Sequence, residues 1–180
     1  GTDIGPGMCL IDRWVRQKSK KRYDENGIIA KSGKIDKMAL DKLLENFHKK
    51  ENILNTGPIQ SFDIKYFDFS FVKELSLEDG AATLTEFTFQ IIISVLKLAN
   101  RYKEKIILCG GGRKNNFLVQ KLKKESDRIK FIDEYGVDGD FVESQAFAYL
   151  AIRSYLKLPI SFPETTGVRK PCLGGMICKN

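Results

Sequence analysis

Four short constellations in this 180-residue sequence carry residue types suited to chemistry. The first is Asp3-Ile4-Gly5-Pro6-Gly7, which sets a carboxylate at what reads as a strand end, ahead of two glycines and a helix start. Glycines let backbone N–H groups approach an anion, and a helix N-terminus favours negative charge there. The order therefore suits a phosphate or Mg²⁺-bound phosphate, with Asp3 orienting metal-bound water or acting as a base. A plain Asp–Gly turn is the alternative. The second constellation is Gly110-Gly111-Gly112, directly after a β-rich run. Three glycines exceed what a tight turn needs, and they permit a flat ligand such as the sugar and base of a nucleotide to approach the main chain. A strand-to-helix turn crossed by another backbone is the competing reading. The spacing is not a dinucleotide fingerprint, because the G-x-G-x-x-G pattern fails at Asn115.

The third constellation is Asp138-Gly139-Asp140 with Glu143 three residues on. If Asp140 begins a helix, Asp140 and Glu143 are neighbours on its first turn. Acidic residues there complement the helix dipole, but three carboxylates in a Gly-bearing loop exceed what capping requires. Paired carboxylates are common equipment for acid–base work on sugars. The fourth is Asp79 with Thr83, Thr85 and Glu86, which could line a polar cleft or merely cap and decorate a helix.

The elements that position these residues follow from spacing and punctuation. Gly5-Pro6-Gly7 forces a turn, and a helix over about Met8–Gln17 buries Leu10, Ile11, Trp14 and Val15. Tyr23–Gly33 reads as polar and Gly-punctuated. Asp36 caps a helix carrying Leu40, Leu43, Leu44 and Phe47. Asn55–Val72 reads as irregular with a short helical piece. The longest helix is expected from Asp79 to about Tyr102, a strand at Lys105–Cys109, and a helix capped by Asn115 that carries Leu118 and Leu122. A second strand at Ile129–Ile132, an acidic loop at Asp133–Asp140 and a helix from about Asp140 to Leu156 complete the pattern. A loop over Pro159–Pro171 and a closing strand at Cys172–Cys178 follow. Strands alternating with helices predict an α/β layer structure in one domain.

Composition narrows the function classes. Hydrophobic residues make up 42% of the chain and 12 Phe and 6 Tyr are present, which argues against disorder. The apolar stretch around Phe87–Ala99 is interrupted by Gln90, Ser94 and Lys97 and reads as too short for a membrane span. The opening residues do not read as a basic, apolar and then small-residue secretory leader, so none is expected. Cys9, Cys109, Cys172 and Cys178 form no Cys-x-x-Cys pair, so neither a disulfide framework nor a zinc site is expected, and a reduced cytoplasmic setting is. The single histidine, His48, sits in a lysine-rich helix end and reads as a solvated surface residue, which removes Ser–His and Cys–His catalysis. The net charge of +7 gathers at Arg13–Arg22 and Lys121–Lys130. Only 8 of the 30 basic residues are Arg, and no nucleic-acid motif accompanies them, so solvated helix faces are expected rather than a nucleic-acid surface.

Taken in order, the constellations resemble the C-terminal half of anhydro-N-acetylmuramic acid kinase, a family of the sugar kinase, Hsp70 and actin ATPase superfamily. The matching residues are Asp3–Gly7 with Leu10, Asp12 and Trp14; Tyr23-Asp24 with Gly27; Asp79 with Ala82–Thr85; and Cys109–Gly112 with Asn115 and Leu118. They continue through Gly136, Asp138–Asp140, Glu143, Ala146–Ala148, Thr166-Gly167 and Leu173-Gly174. The resemblance implies the C-terminal lobe of an actin-like (ribonuclease H-like) fold, with a mixed sheet flanked by helices over residues 1–180. It implies ATP-dependent cleavage of the 1,6-anhydro bond of anhydro-N-acetylmuramic acid coupled to phosphorylation at O6, with ATP and Mg²⁺ as cofactors and no protein residue named as a metal ligand. It places Asp3 as the catalytic base and Glu143 as an assisting carboxylate. The nucleotide falls to Gly5, Gly7, Gly110, Gly111, Gly112 and Asn115.

Several positions depart from the family pattern. Met8 stands where Asn is usual, Gly57-Pro58-Ile59 replaces a more polar run, and Arg113-Lys114 replaces a typical Ala–Arg pair. The family's Gly–Thr–Ser–x–Asp–Gly phosphate loop is absent and the chain opens on Gly1. A fragment is therefore expected, inactive alone and partnered by an N-terminal lobe; the resemblance leaves room for a homodimer and none for a membrane. An inactive remnant of a split kinase gene and a basic binding protein are the competing readings.

Overall fold

A computed structural model describes residues 3–50, 67–98, 104–176 and 178. The helices are α1 (Cys9–Lys18), α2 (Ile28–Ser32), α3 (Lys37–Lys50), α4 (Leu77–Leu98), α5 (Asn116–Glu125), α6 (Val142–Tyr155) and α7 (Pro163–Thr166). The strands are β1 (Ile106–Leu108) and β2 (Ile129–Phe131), paired in parallel with Ile106 opposite Ile129. The chain is thus an α/β structure, mostly helical, with a small parallel sheet. The mixed sheet expected from the resemblance is not found among the described residues. Of the first expected strand, residues 1 and 2 lie outside the described residues and residues 3 and 4 are not in a strand, and the last one makes only a single antiparallel bridge, Ser161 to Cys172, before Gly175 at φ +82°.

Helix α4 is the centre of the fold and packs against α1, α2, α3 and α5. It begins two residues earlier than the sequence suggests because Ser76 caps it, its Oγ accepting from the Asp79 N–H at 3.0 Å. By length and composition α4 is apolar enough to cross a membrane, contrary to the expectation from Phe87–Ala99. That stretch omitted Leu77, Ala81, Ala82 and Leu84, which extend the apolar run. Half of the apolar window is buried inside the protein, where Leu84, Phe87 and Ile91 join Leu10, Ile11, Trp14 and Val15 of α1 in the main core. A smaller core joins Ile93 to Leu118, Leu122 and Ile129.

Two expected caps are made. Asp36 Oδ1 accepts from Ala39 N–H at 2.8 Å, and Asn115 Oδ1 from Leu118 N–H at 2.9 Å. The stretch read only as polar, Tyr23–Gly33, folds into α2 because buried Asp24 accepts from both Ile29 N–H and Ala30 N–H, at 2.8 and 2.9 Å. Phe62, Tyr66 and Gly57-Pro58-Ile59 lie outside the described residues, as does the expected end of the long helix at Tyr102.

Members of both basic clusters are engaged within the fold. Lys18 donates to Lys73 O at 2.8 Å and lies over the Trp14 ring. Lys121 pairs with Glu86 at 2.7 Å between the Phe89 and Phe117 rings. His48 is exposed, as expected.

Helix α6 differs from the others. It has no buried residue, and Phe147, Tyr149, Ile152 and Tyr155 are all exposed. Its N-terminal approach is nonetheless fixed by charge. Arg113, only 9% exposed, donates to Asp133 through Nε and Nη2 at 2.8 and 3.1 Å and to Asp140 through Nη1 at 2.6 Å. The same guanidinium donates to Gly110 O, and Gly110 N–H reaches Gly139 O at 3.0 Å. The 133–140 loop is thereby stapled to the glycine turn.

Gly80 lies against the Trp14 indole, and a Cβ there would overlap Cε2 and Cζ2. Gly80→Ala should cost about 1–3 kcal/mol in urea unfolding and shift the Trp14 fluorescence, as overpacking of a tight core does. An unchanged unfolding midpoint would mean that α1 yields freely.

The hydrogen bonds from Arg113 hold the Asp133 carboxyl down at about 2, from an ordinary 3.8. A depressed carboxylate contributes stability that is present above its unfolded value and lost as pH falls through its folded one. Wild-type thermal midpoints should therefore drop between about pH 4 and pH 2 more steeply than those of Arg113→Met, which should be less stable at neutral pH. Parallel acid limbs in the two proteins would remove the staple from the fold's proton linkage.

Candidate functional site

The helix that follows the first constellation meets the second, although Asp3, Gly5 and Gly7 do not line the space between them. Met8, at the start of α1, stands beside the glycine turn: a Cβ on Gly112 would lie 3.4 Å from Met8 Cγ. Between them opens a cleft of about 330 Å³ lined by Met8, Asp12, Tyr23, Asn26, Gly111 and Lys114, with Asp24 and Asn115 also on its walls. Met8 supplies no side-chain cap, so the first turn of α1 is not closed by a side chain.

The three glycines differ. Gly110 has φ +71° and ψ −175°, a backbone region that essentially only glycine occupies. At Gly112 the φ is not positive, and a Cβ would make only ordinary van der Waals contact with Met8. Gly111 is the least constrained: its φ is not positive and a Cβ there would meet nothing within 4 Å. The fold alone does not account for a glycine at position 111, on the cleft wall. Gly5 is needed for packing, because a Cβ there would come within 2.9 Å of Ile91 Cγ2. Gly7 has φ +54°, and its carbonyl accepts from the buried Thr88 hydroxyl at 3.2 Å, which ties the loop to α4.

Asn115 is 3% exposed and divided in role. Its Oδ1 caps α5, whereas its Nδ2 is buried with no acceptor. A buried amide donor left unpaired costs free energy, and an acceptor on a bound molecule would recover it.

The carboxylates sort differently from the expectation. Asp140 lies before α6 rather than on its first turn, and pairs with Arg113 and with Lys114. Asp138 accepts from Asp140 N–H at 2.9 Å and lies 3.8 Å from Arg113. Their burden is the loop staple, which the sequence concealed because the Arg113 partner lies 27 residues from Asp140. Glu143 is on the first turn of α6, exposed, and makes no hydrogen bond or ion pair with another described residue. Asp3 is exposed in the loop before α1.

The fourth constellation is structural. Asp79 accepts from Lys34 N–H at 2.7 Å, and this hydrogen bond leads the causes that hold its carboxyl below the usual range. Thr83 donates to Asp79 O and accepts from Asp36 N–H, and Thr85 donates to Ala81 O. Glu86 pairs with Lys121.

Sequence reasoning gave no site role to the far wall of the cleft, made by Tyr23, Asp24 and Asn26, although Tyr23-Asp24 with Gly27 carries part of the family resemblance. Its signal was the Asn26-Gly27 turn, where both residues have positive φ. Gly27 is pressed against the Asn115 amide, so the turn and the cap of α5 are built together. No group of three or more His, Cys, Asp or Glu among the described residues could hold a metal.

Comparison with known proteins gives relatives of a single name. A family model described as anhydro-N-acetylmuramic acid kinase matches residues 1–180. A protein of that name from Pelagibacter ubique is 52% identical, covering 99% of this chain and 48% of its own length. Proteins of the same name from Zymomonas mobilis and Caulobacter vibrioides are each 38% identical, covering 97% of this chain and 47% and 46% of their own lengths. The chain spans about half the length of these curated relatives. With the glycine turn, the α1 start and Glu143 all falling within the matched residues, the chain belongs to the anhydro-N-acetylmuramic acid kinase family.

Proposed function

We propose that this chain forms the nucleotide-facing C-terminal lobe of a cytoplasmic kinase of the actin-like, ribonuclease H-like fold. The reaction consumes 1,6-anhydro-N-acetylmuramic acid, water and ATP and yields N-acetylmuramic acid 6-phosphate and ADP. The observation that carries the reading is the cleft between α1 and the glycine turn, with a glycine the fold does not require and a buried donor lacking an acceptor. Both features fit a nucleoside: Gly111 admits a flat group against the main chain, and Asn115 Nδ2 can donate to it.

ATP supplies the phosphoryl group, and Mg²⁺, carried on its phosphates, neutralises their charge. Gly5 and Gly7 present the start of α1 to that charge, in a helix whose N-cap contributes no side-chain hydrogen bond. Gly110 shapes the turn, Gly111 and Gly112 admit the nucleoside, and Asn115 anchors it. Asp3 takes the proton from the water that attacks the anomeric carbon, and Glu143 assists ring opening from the first turn of α6. Opening the anhydro bridge frees O6 to accept the phosphoryl group. A second lobe, outside this chain, completes the phosphate cradle.

Two outcomes test the reading. Gly111→Val should fold normally, with an unchanged thermal midpoint, yet lose ADP binding measured by amide shifts or calorimetry. Equal binding by Gly111→Val would confine the glycines to the turn. In the complete protein, Asp3→Asn keeps shape and removes the proton acceptor, so turnover should fall by about 10²–10⁴-fold while ATP affinity changes little. Glu143→Gln should cost less if it only assists. A well-folded Asp3→Asn protein retaining most of the wild-type rate would strike Asp3 from the catalytic list.

A further inference from the structure

Two carboxylates line the cleft, and they are used in opposite ways. Asp24 spends both oxygens on the N–H groups of α2. Asp12 is half-buried on α1 and its carboxylate makes no hydrogen bond or ion pair with another described residue. Burial pushes its carboxyl above the usual value, Arg16 opposes that and Asp24 adds to it. Arg16 does not close on Asp12; its guanidinium donates instead to Arg22 O at 3.1 Å. A carboxylate drawn half-way into a cleft without a hydrogen-bond donor loses hydration, and among the described residues the attraction of Arg16 offsets that without a hydrogen bond. A favourable helix dipole would be available equally to an exposed acidic residue, so it does not explain the burial.

The position of Asp12 fits one part of a nucleotide. Met8 and Asp12 are four residues apart, on one face of α1 and separated by about one helical turn of ~5.4 Å. With phosphate at the helix start beside Met8, as a helix N-terminus favours, the group one turn further on would be the sugar, and the base would then reach Gly111 and Asn115. A carboxylate accepts hydrogen bonds and donates none, so it repels phosphate and suits a pair of hydroxyls. Resting on the nucleotide reading above, we propose that Asp12 is a specificity-determining residue that accepts hydrogen bonds from the 2′- and 3′-hydroxyls of the ribose, selecting ribonucleotides over deoxyribonucleotides.

The experiment titrates ADP, 2′-deoxy-ADP, 3′-deoxy-ADP and inosine diphosphate into the complete protein by calorimetry. Wild type should bind ADP at least about tenfold more tightly than either deoxy analogue, as hydrogen bonds to a charged group require. It should bind inosine diphosphate with little loss relative to ADP. Asp12→Ala should bind ADP only as well as it binds the deoxy analogues. Its thermal midpoint near neutral pH should equal or exceed wild type, because the unpartnered buried charge is gone. Wild-type protein that binds ADP and both deoxy analogues alike overturns the proposal, and this arm needs no variant. Preserved discrimination in Asp12→Ala overturns it too, as does a loss confined to inosine diphosphate, which would place Asp12 on the base. Failure of ADP to bind at all would sink the nucleotide reading instead.

Discussion

Everything else is arranged around the contact between Trp14 and the backbone of α4 at Gly80. Trp14 is 1% exposed, its ring lies where any side chain at position 80 would be, and its Nε1–H donates to Leu77 O at 2.9 Å. One close approach thus satisfies the buried indole donor and sets the distance between α1 and α4. A second glycine repeats the device: Gly33, just after α2, sits on the backbone at Glu78. With α1 and α2 both seated on α4, the start of α1 is carried to the glycine turn and the Tyr23–Asn26 segment to the opposite wall. The cleft is a consequence of helix packing rather than of the small sheet.

Charge fixes what packing leaves loose. The 133–140 segment contributes few buried side chains, and α6 beyond it contributes none. Arg113 supplies the missing constraint, with donors to three acceptors spread from Gly110 to Asp140. A planar guanidinium can hold that geometry where a lysine could not, since its donors are fixed in a fork. The effect is to place the first turn of α6, and Glu143 on it, relative to the glycine turn.

Much of this was legible in the sequence, and the failures share a cause. Helices announced by a cap and an apolar stripe were found nearly to the residue, as Asp36 and Asn115 show. The helix at Ile28–Ser32 was missed because five residues carry too little periodicity, and its support, Asp24, lies outside it. The strand expected at Cys172–Cys178 had β-compatible residues but no partner to pair with beyond one bridge. Within the site, Gly111 and Asn115 stood out by type and spacing. The Asp138–Asp140 cluster suggested chemistry because local spacing shows carboxylates and hides an arginine more than 20 residues away. Partners distant in sequence are what a linear reading lacks.

That sorting of carboxylates separates stability from chemistry. Asp24, Asp79, Asp133, Asp138 and Asp140 each hold a backbone N–H or a basic side chain, and removing any of them would strand a donor. Asp12 and Glu143 hold nothing among the described residues, and one of them is half-buried at a cost. The exposed carboxylates of Glu25, Asp41 and Glu74 likewise hold no hydrogen bond or ion pair among the described residues, so the lack of a partner on a solvated surface marks nothing by itself. What sets Asp12 apart is its place in the cleft, where burial raises its carboxyl above the usual value while the Arg16 guanidinium donates elsewhere; a donor on a bound molecule would offset that cost.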